Sequence, residues 1–472
     1  MTAAPLSVPG PLLFFAGAMT VALVCYLVHR WTWVSGIVAV VGTLLLAWVG
    51  WQLLLDGPVT LLGRDLALHR TFAVLGREWA LTGANTALLT LLFSFGGLAF
   101  LFALPASQGW SFYPFGLAVL AMLGLSITAQ QHIYRVLFLW LAANLATFVL
   151  AGGRPGATMG ALRFMILTTL GVMPLLILPR YLALPADPAL LQTASVLMII
   201  GLAILFMMPP FHGQLVGIGA YSTPMAPAFI LSTFLPTAVY LLAMLGQSHP
   251  DLLADGFFFD ICRWLGVGAV AIGGLGSLGQ RRWGALLGYA ALVDWGAGLV
   301  ALGQGTPAGV AQLIQMLIWR AFSLLMAGAG LTVLFQAAGK KDDLDQFRGA
   351  LYRQPLNVLL LIGGLFSLGG FPFTPGALGR WPLIVDLLAA SPRIAWVLIL
   401  GGVGVGIGAL KGLHACLGAP APQTAKNRVE MTIAWISGFL AVWLLGYLFI
   451  HSRPWMDVLY SRLADLIFLG SS

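Results

Sequence analysis

The segment PLNVLLLIGGLFSLGGFPFTPGALGRWPLIVDLLAA, residues 355–390, is an apolar run that is interrupted at its centre by glycines and prolines. The interruption contains Gly370, Pro372, Pro375 and Gly376. Proline lacks a backbone N–H and clashes with the preceding helical turn, so this pattern predicts a broken helix. Unwound backbone at membrane depth persists only where it is buried in protein or faces a water-filled cavity.

The composition places this segment in a membrane. Hydrophobic residues make up 60% of the 472 residues and charged residues 8%, whereas about one-quarter of a soluble domain is charged. The apolar runs lack the two-residue alternation of barrel strands and are too long for them. We therefore predict an all-α polytopic membrane protein with about fourteen transmembrane helices. They lie near 11–28, 33–54, 79–104, 112–129, 133–152, 160–185, 190–211, 225–246, 257–279, 283–303, 309–336, 355–390, 393–416 and 430–451.

The net charge and the cysteines indicate which partners and ligands to expect. The net charge of +8 comes from Lys and Arg residues scattered through short loops, which does not indicate nucleic acid binding but suits the lipid bilayer. Cys25, Cys262 and Cys416 each stand alone in an apolar run. No iron–sulfur or zinc pattern is present, so no metal and no cofactor is expected.

A second interruption predicts an internal repeat. The sequence MMPPFH, residues 207–212, contains Pro209 and Pro210 and lies in the seventh predicted helix, five before the broken twelfth. This spacing favours two inverted five-helix repeats, helices 4–8 and 9–13, because broken helices at matching positions are typical of transporters. Simple kinks in a packed bundle are the alternative. The predicted divisions are 1–110 for helices 1–3, 111–250 and 251–418 for the repeats, and 419–472 for the last helix and tail.

The distribution of basic residues weakly predicts the orientation. With the N-terminus outside, more Lys and Arg residues fall in inside loops than in outside loops, as the positive-inside rule requires. An even number of spans then places both termini outside. We expect the bacterial cytoplasmic membrane.

The chain contains five motifs, at 140–152, 209–242, 286–296, 343–356 and 370–381. In sequence and in order they resemble motifs of the proton-conducting subunits of NADH:quinone oxidoreductase and Mrp-type antiporters. GFPFTPGALGRW (370–381) resembles the family's GIPPTAGFxGKF, and LLGYAALVDWG (286–296) resembles LLAYSSIxHxG. The other three are WLAANLATFVLAG (140–152), PPFHGQLVGIGAYSTPMAPAFILSTFLPTAVYLL (209–242) and DLDQFRGALYRQPL (343–356). The similarity covers roughly residues 80–450 and implies a membrane subunit without flavin, iron–sulfur or nucleotide sites.

The departures from the family pattern concern its channel charges. Where the resemblance implies a membrane-embedded Glu in the fifth helix, this chain has Leu141; at three lysine positions it has Leu205, Pro236 and Gly284. An ionisable group inside a membrane is costly and persists mainly where it serves a pathway. Leu141, Leu205 and Pro236 cannot titrate, so we predict that the first half-channel is impaired or absent.

Five intramembrane side chains remain as candidates for a proton pathway or for buried charge: His212, Asp294, Arg320, Arg380 and Lys411. His212 is either a relay group or a hydrogen-bond partner of the freed backbone. Asp294 is either an acid in a relay or one half of a buried ion pair. The arginines cannot readily deprotonate, which favours a structural role, and Lys411 can extend to the membrane interface. Because unpaired arginines within spans are expensive, we expect Asp294 to pair with Arg320, Arg380 or both.

The resulting functional prediction is an antiporter-like membrane-arm subunit of a complex I-related NADH:quinone oxidoreductase, beside other membrane subunits that hold the catalytic sites. One alternative is a structural or docking subunit of another redox, hydrogenase or inorganic-carbon uptake complex. A stand-alone proton or cation transporter is the second alternative. No residue is assigned a catalytic role.

Overall fold

The computed structural model describes residues 6–57, 59–61, 64–154, 156–183, 188–419 and 428–467, most of them in helices. Each of the fourteen predicted spans contains a helix. The helices are α1 Gly10–Leu27, α2 Thr32–Leu54, α3 Gly83–Ala103, α4 Phe112–Thr128, α5 His132–Ala151, α6 Thr158–Leu182, α7 Pro188–Leu205, α8 Gly213–Tyr221, α9 Met225–Ser248, α10 Phe257–Leu278, α11 Trp283–Leu302, α12 Pro307–Ala337, α13 Ala350–Arg353, α14 Pro355–Gly369, α15 Pro375–Ala390, α16 Pro392–Leu417, α17 Arg428–Ile450 and α18 Ser452–Leu463.

Within the described part of the chain, twelve helices are long and apolar enough to cross a membrane, and α4 and α14 are shorter apolar helices. Helices satisfy their backbone hydrogen bonds internally, which is what a hydrocarbon environment demands. The core lies around α9, α11 and α12, whose residues are almost all buried, whereas most of α17 is exposed on the outside of the bundle. These three helices therefore hold the interior positions.

The two predicted helix breaks are confirmed. The seventh helix stops after Leu205 and resumes as α8, which lies beyond the predicted end of that span at 211, and the twelfth span divides into α14 and α15. Both first halves end in the same cap: Met207 N–H bonds to Ile204 O and Met208 N–H to Ala203 O, while Gly370 N–H bonds to Ser367 O and Phe371 N–H to Phe366 O. This is the Schellman pattern, whose capping residue takes a positive φ; φ is 52° at Met207 and 75° at Gly370.

Because the two breaks have the same cap, the two repeats can be aligned residue by residue. With Met207 set against Gly370, Pro209 falls on Pro372 and Gly213 on Gly376. The helix contacts also correspond, since α4 packs on α5 as α10 packs on α11, and α6 packs on α7 as α12 packs on α14. Each repeat contains five membrane-crossing helices. Because five is an odd number, the second repeat starts on the opposite side of the membrane from the first, as inverted repeats do.

Short strands lie outside the spanning helices, where no strand was predicted. β1 (Leu6–Pro9) pairs in parallel with β3 (Arg64–His69), which pairs antiparallel with β2 (Val59–Leu61). β4 (Thr71–Val74) and β5 (Arg77–Ala80) form a hairpin whose two turn residues, Leu75 and Gly76, both have positive φ, as a two-residue turn requires. The predicted third span began at 79, but its helix begins at Gly83 because β5 occupies the preceding residues.

The C-terminal helix α18 packs on α3 and is joined to the end of α2 by charge. Arg462 Nη2 donates to Asp56 Oδ2 at 2.9 Å and to Leu54 O at 3.2 Å. Arg70 Nη2 contacts Asp56 Oδ1 at 2.9 Å. The hydrogen bond from Arg462 and its positive charge, followed by Arg70, lower the pKa of the Asp56 carboxyl.

Replacing Asp56 with Asn should loosen α18, because Arg462 loses its charged partner. Faster amide hydrogen exchange in residues 452–463 at neutral pH would report this. A carboxyl group whose pKa is lowered by folding stabilises the fold at any pH above its ordinary pKa of about 4. This stabilisation is lost only as the pH falls from there through the lowered pKa. Exchange in the unmodified protein, corrected for intrinsic rates, should therefore not change between pH 7 and pH 5. Asp457→Asn, an exposed position on the same helix, is the control and should leave exchange unchanged.

Candidate functional site

A buried cluster of one carboxylate and two guanidiniums lies where α11, α12 and α15 meet. Asp294 Oδ1 is 3.3 Å from Arg380 Nη2, and Asp294 Oδ2 is 3.8 Å from Arg320 Nε. All three residues are buried: Asp294 is 5% exposed, Arg320 2% and Arg380 1%. Asp294 thus pairs with both arginines rather than with one of them.

Arg380 also completes the second helix break. Its Nη1 donates to Gly369 O at 2.6 Å, and the neighbouring Trp381 Nε1 donates to Gly370 O at 3.1 Å. These carbonyls are freed because α14 stops there. A Cβ atom on Gly370 would clash with the Arg380 side chain, and φ at Gly370 is positive. Glycine is therefore required here both by the backbone and by the close approach of Arg380.

Arg320 is held by a carbonyl and an aromatic ring as well as by Asp294. Its Nη2 donates to Ala291 O at 3.2 Å, and its guanidinium carbon lies 5.1 Å from the centre of the Trp295 ring. Within the described residues, its Nε and Nη1 have no hydrogen-bond partner. A cation over an indole face is favourable, and more so when both are out of water.

The chemistry of this cluster is that of fixed charge. Two guanidiniums and one carboxylate leave a formal charge of +1, and arginine stays protonated under all relevant conditions. Removing such charges from water is costly unless they are paired. Of the three, only Asp294 can change its protonation state. The arrangement is thus suited to holding three helices in register.

The other two candidates lie apart from this cluster. Lys411 is exposed, and its Nζ donates to Leu278 O at the end of α10, at 2.6 Å. His212 is half-buried at the start of α8, and its Nδ1 has no partner among the described residues. Neither forms a hydrogen bond or ion pair with Asp294, Arg320 or Arg380 in the part of the chain that the structure describes. Their roles in a proton pathway stay predictions.

The positions that replace the family's channel charges have no polar side chain. Leu205 is fully buried at the end of α7, while Leu141 is half-buried on α5. Pro236, inside α9, lines a cavity of about 40 Å³ whose other lining residues are mainly apolar. Across the described residues of the predicted first repeat, 111–250, Arg135 is the only buried charged residue. No carboxylate–lysine pair is present there.

Gly284 has no room for a side chain. A Cβ atom there would clash with the carbonyl oxygen of Gly219 on α8 and lie 3.2 Å from Asp342 Oδ2. At Gly219, a Cβ atom would lie 2.5 Å from Gly284 O and 2.9 Å from Gly288 N. The glycines let α8 and α11 pack backbone to backbone. The expected lysine position is therefore a helix contact in this chain.

A second ion-pair cluster was missed in the sequence. Asp342, 4% exposed in the connection after α12, accepts from Arg154 Nη2 at 2.8 Å and Nη1 at 3.2 Å, and from Arg282 Nε at 3.1 Å. Arg282 Nη2 also donates to Ala220 O at 3.0 Å. The cluster joins the end of α5, the end of α8 and the start of α11. The only indication of this cluster in the sequence was that these charged residues fall in loops predicted to lie on the same side of the membrane.

Among the residues that the structure describes, no carboxylate holds Arg135. Its Nε donates to Ala129 O at 2.6 Å, and its guanidinium lies 6.0 Å from the centre of the Tyr240 ring. Tyr240 in turn donates to Asn85 Oδ1 at 2.7 Å. This polar group lies at the first turn of α5, near one end of the bundle, and was not predicted.

Comparison with known families identifies the fold. The transmembrane family described as NADH:quinone oxidoreductase/Mrp antiporter matches residues 162–407, from α6 to α16. Three solved structures share the fold over nearly the whole chain. A chain of the membrane-bound sulfane sulfur reductase, an archaeal respiratory complex, has a TM-score of 0.81 at 14% identity and covers 97% of both chains. A chain of respiratory complex I from Thermus thermophilus has a TM-score of 0.76 at 17% identity, covering 96% of this chain and 100% of that chain. A chain of the Mrp complex from Dietzia has a TM-score of 0.72 at 16% identity, covering 97% of this chain and 96% of that chain.

Curated relatives carry the name NADH-quinone oxidoreductase subunit N. The protein from Chromohalobacter salexigens is 28% identical over 255 residues, which is 53% of this chain and 52% of that protein. The one from Solibacter usitatus is 25% identical over 48% of this chain and 46% of that protein. The chain thus spans about half the length of these two relatives. The one from Cereibacter sphaeroides is 27% identical over 338 residues, 68% of this chain and 72% of that protein.

Replacing Asp294 with Asn should destabilise the protein, because Arg320 and Arg380 would be buried without a counter-charge. Removing one partner of a buried pair costs about 3–5 kcal/mol. Thermal unfolding of the purified protein or its complex would measure the loss. Asp386→Asn, an exposed carboxylate on α15 that accepts from Gln312, is the control and should have little effect. Normal stability and assembly with lost proton translocation in the Asp294 variant would instead favour a relay.

Replacing Gly284 with Ala should push α8 and α11 apart, since the new methyl group would collide with Gly219 O. Overpacking of this kind costs about 1–3 kcal/mol. The matched control is Gly268→Ala on α10, where a Cβ atom would have no heavy atom within 4 Å. A lower thermal midpoint for Gly284→Ala alone is expected. Equal midpoints for the two variants would contradict the close helix contact.

Proposed function

Because the chain belongs to the NADH:quinone oxidoreductase/Mrp antiporter transmembrane family, we propose that it works as an antiporter-like membrane-arm subunit of a complex I-related assembly. Other membrane subunits are its partners in this proposal, and electron transfer takes place outside this chain. We place it in a bacterial cytoplasmic membrane with both termini outside. The match over residues 162–407, which includes both helix breaks, is the observation that carries the proposal.

Within such an assembly, we propose that the first repeat does not move protons through its own side chains. Lysine and glutamate can exchange protons inside a membrane when burial and neighbouring charges shift their pKa values toward neutral pH. Leu141, Leu205 and Pro236 cannot do this. The absence of a buried carboxylate–lysine pair among the described residues of this repeat supports the proposal.

In the second repeat, we propose that the Asp294 cluster is structural. A pathway needs a group that gains and loses a proton, whereas both arginines keep theirs. Their contacts with Gly369 O and Ala291 O fix α15 and α12 against the neighbouring backbone. A spacer or docking role beside conducting subunits fits this arrangement better than a stand-alone transporter.

A neighbouring possibility is the same role in a different redox, hydrogenase or inorganic-carbon uptake complex. The fold likeness to a chain of the sulfane sulfur reductase, at a TM-score of 0.81, keeps this possibility open. The two possibilities differ in the soluble subunits that accompany the chain, which co-purification identifies.

The proposal predicts that the chain is isolated with partners. A C-terminally tagged chain, extracted in a mild detergent, should migrate as a larger complex on a native gel and carry other membrane subunits in fixed ratio, identified by mass spectrometry. In proteoliposomes, the isolated chain alone should not exchange protons for cations across the membrane. A chain that purifies alone and catalyses such exchange would contradict the subunit role and support the transporter.

A further inference from the structure

The freed carbonyl groups at the two helix breaks are satisfied from different places. In the second break, Gly369 O and Gly370 O accept from Arg380 and Trp381, which both belong to α15, the other half of the same broken helix. In the first break, Ile204 O accepts from Gln214 Nε2 of α8 at 3.2 Å. Phe206 O, however, accepts from Trp295 Nε1. That donor comes from α11, in the second repeat.

Trp295 also packs on the first break through its ring. The Trp295 and Phe206 rings lie 5.6 Å apart, nearly perpendicular, at an interplanar angle of 85°. Both side chains are buried. This edge-to-face contact and the indole hydrogen bond together fix the backbone where α7 stops.

The residue next to Trp295 reaches the second break. Asp294 binds Arg380, whose Nη1 is bonded to Gly369 O. Successive residues of a helix point about 100° apart, so two adjacent residues of α11 face the two breaks in different directions. Arg320 closes the arrangement, because its guanidinium lies over the Trp295 ring and beside Asp294.

We propose that Trp295 is a positioning residue that couples the two helix breaks. A continuous set of contacts runs from Phe206 O through Trp295, Arg320, Asp294 and Arg380 to Gly369 O. Displacement of the unwound backbone at 207–212 shifts the indole ring, and the ring shifts the guanidinium that shares Asp294 with Arg380. Members of one buried polar network respond together when one of them changes. The inference does not depend on which complex the chain belongs to or on whether it conducts protons.

Hydrogen exchange at the two breaks tests this coupling. Trp295→Phe removes the indole N–H but keeps an aromatic ring against Phe206 and Arg320. In the intact complex, amide exchange should rise by about fivefold or more, the lower range of measured coupling between sites, in peptides covering both 207–213 and 370–376. The matched control is Trp381→Phe, which removes the donor to Gly370 O within α15. It should raise exchange at 370–376 only.

Any of the following results would overturn the proposal. If Trp295→Phe alters exchange at 207–213 alone or at neither break, the second break is held independently of Trp295. A Trp381→Phe variant that raised exchange equally at both breaks would show general loosening instead of a path through Trp295. If Trp295→Phe does not assemble, Phe206→Leu decides the matter, since it removes the ring contact and keeps the backbone carbonyl. It should raise exchange at 370–376, and unchanged exchange there would reject the coupling.

Discussion

The shared carboxylate of Asp294 is the interaction on which the interior of this protein depends. Two arginines are buried beside it, and neither can lose its proton to escape the cost of leaving water. Their heads must therefore stay near Asp294, and this requirement fixes how α12 and α15 approach α11. The carbonyls of Ala291 and Gly369 supply the remaining contacts. Charge neutralisation and helix register are thus set by the same few atoms.

The helix breaks follow from the same constraint on unsatisfied polar groups. A helix that stops inside a membrane leaves its last carbonyls without intrahelical donors, so other groups must supply them. Here side chains supply the donors, and both breaks use the same capping pattern at Met207 and Gly370. The donors are long side chains, Arg380, Trp381, Trp295 and Gln214. Glycine-to-glycine contacts, such as Gly219 with Gly284, let the neighbouring helices come close enough for these donors to reach.

In the proposed function, the antiporter-like fold is kept without a proton path through the side chains of the first repeat. The chain keeps the broken helices and the repeat of an antiporter-like subunit, while apolar residues or glycines stand where the family's titratable groups are expected. In the proposed function it contributes a rigid part of a membrane arm, with partner subunits supplying the chemistry. Leu205 is fully buried, and a Cβ atom at Gly284 would clash with Gly219 O, so neither position has room for a charged side chain.

The sequence by itself determined the spans, the two breaks and the small set of intramembrane charges, because hydropathy and the geometry of proline and glycine act locally. The cost of burying unpaired arginines also predicted that Asp294 would bind one of them, because few carboxylates lie in the later spans. Only the tertiary structure decided that Asp294 binds both arginines, that Trp295 caps a break in the other repeat, and that Asp342 gathers Arg154 and Arg282. These contacts join residues between 26 and 188 positions apart, and such pairings depend on how the helices pack, which no local pattern encodes.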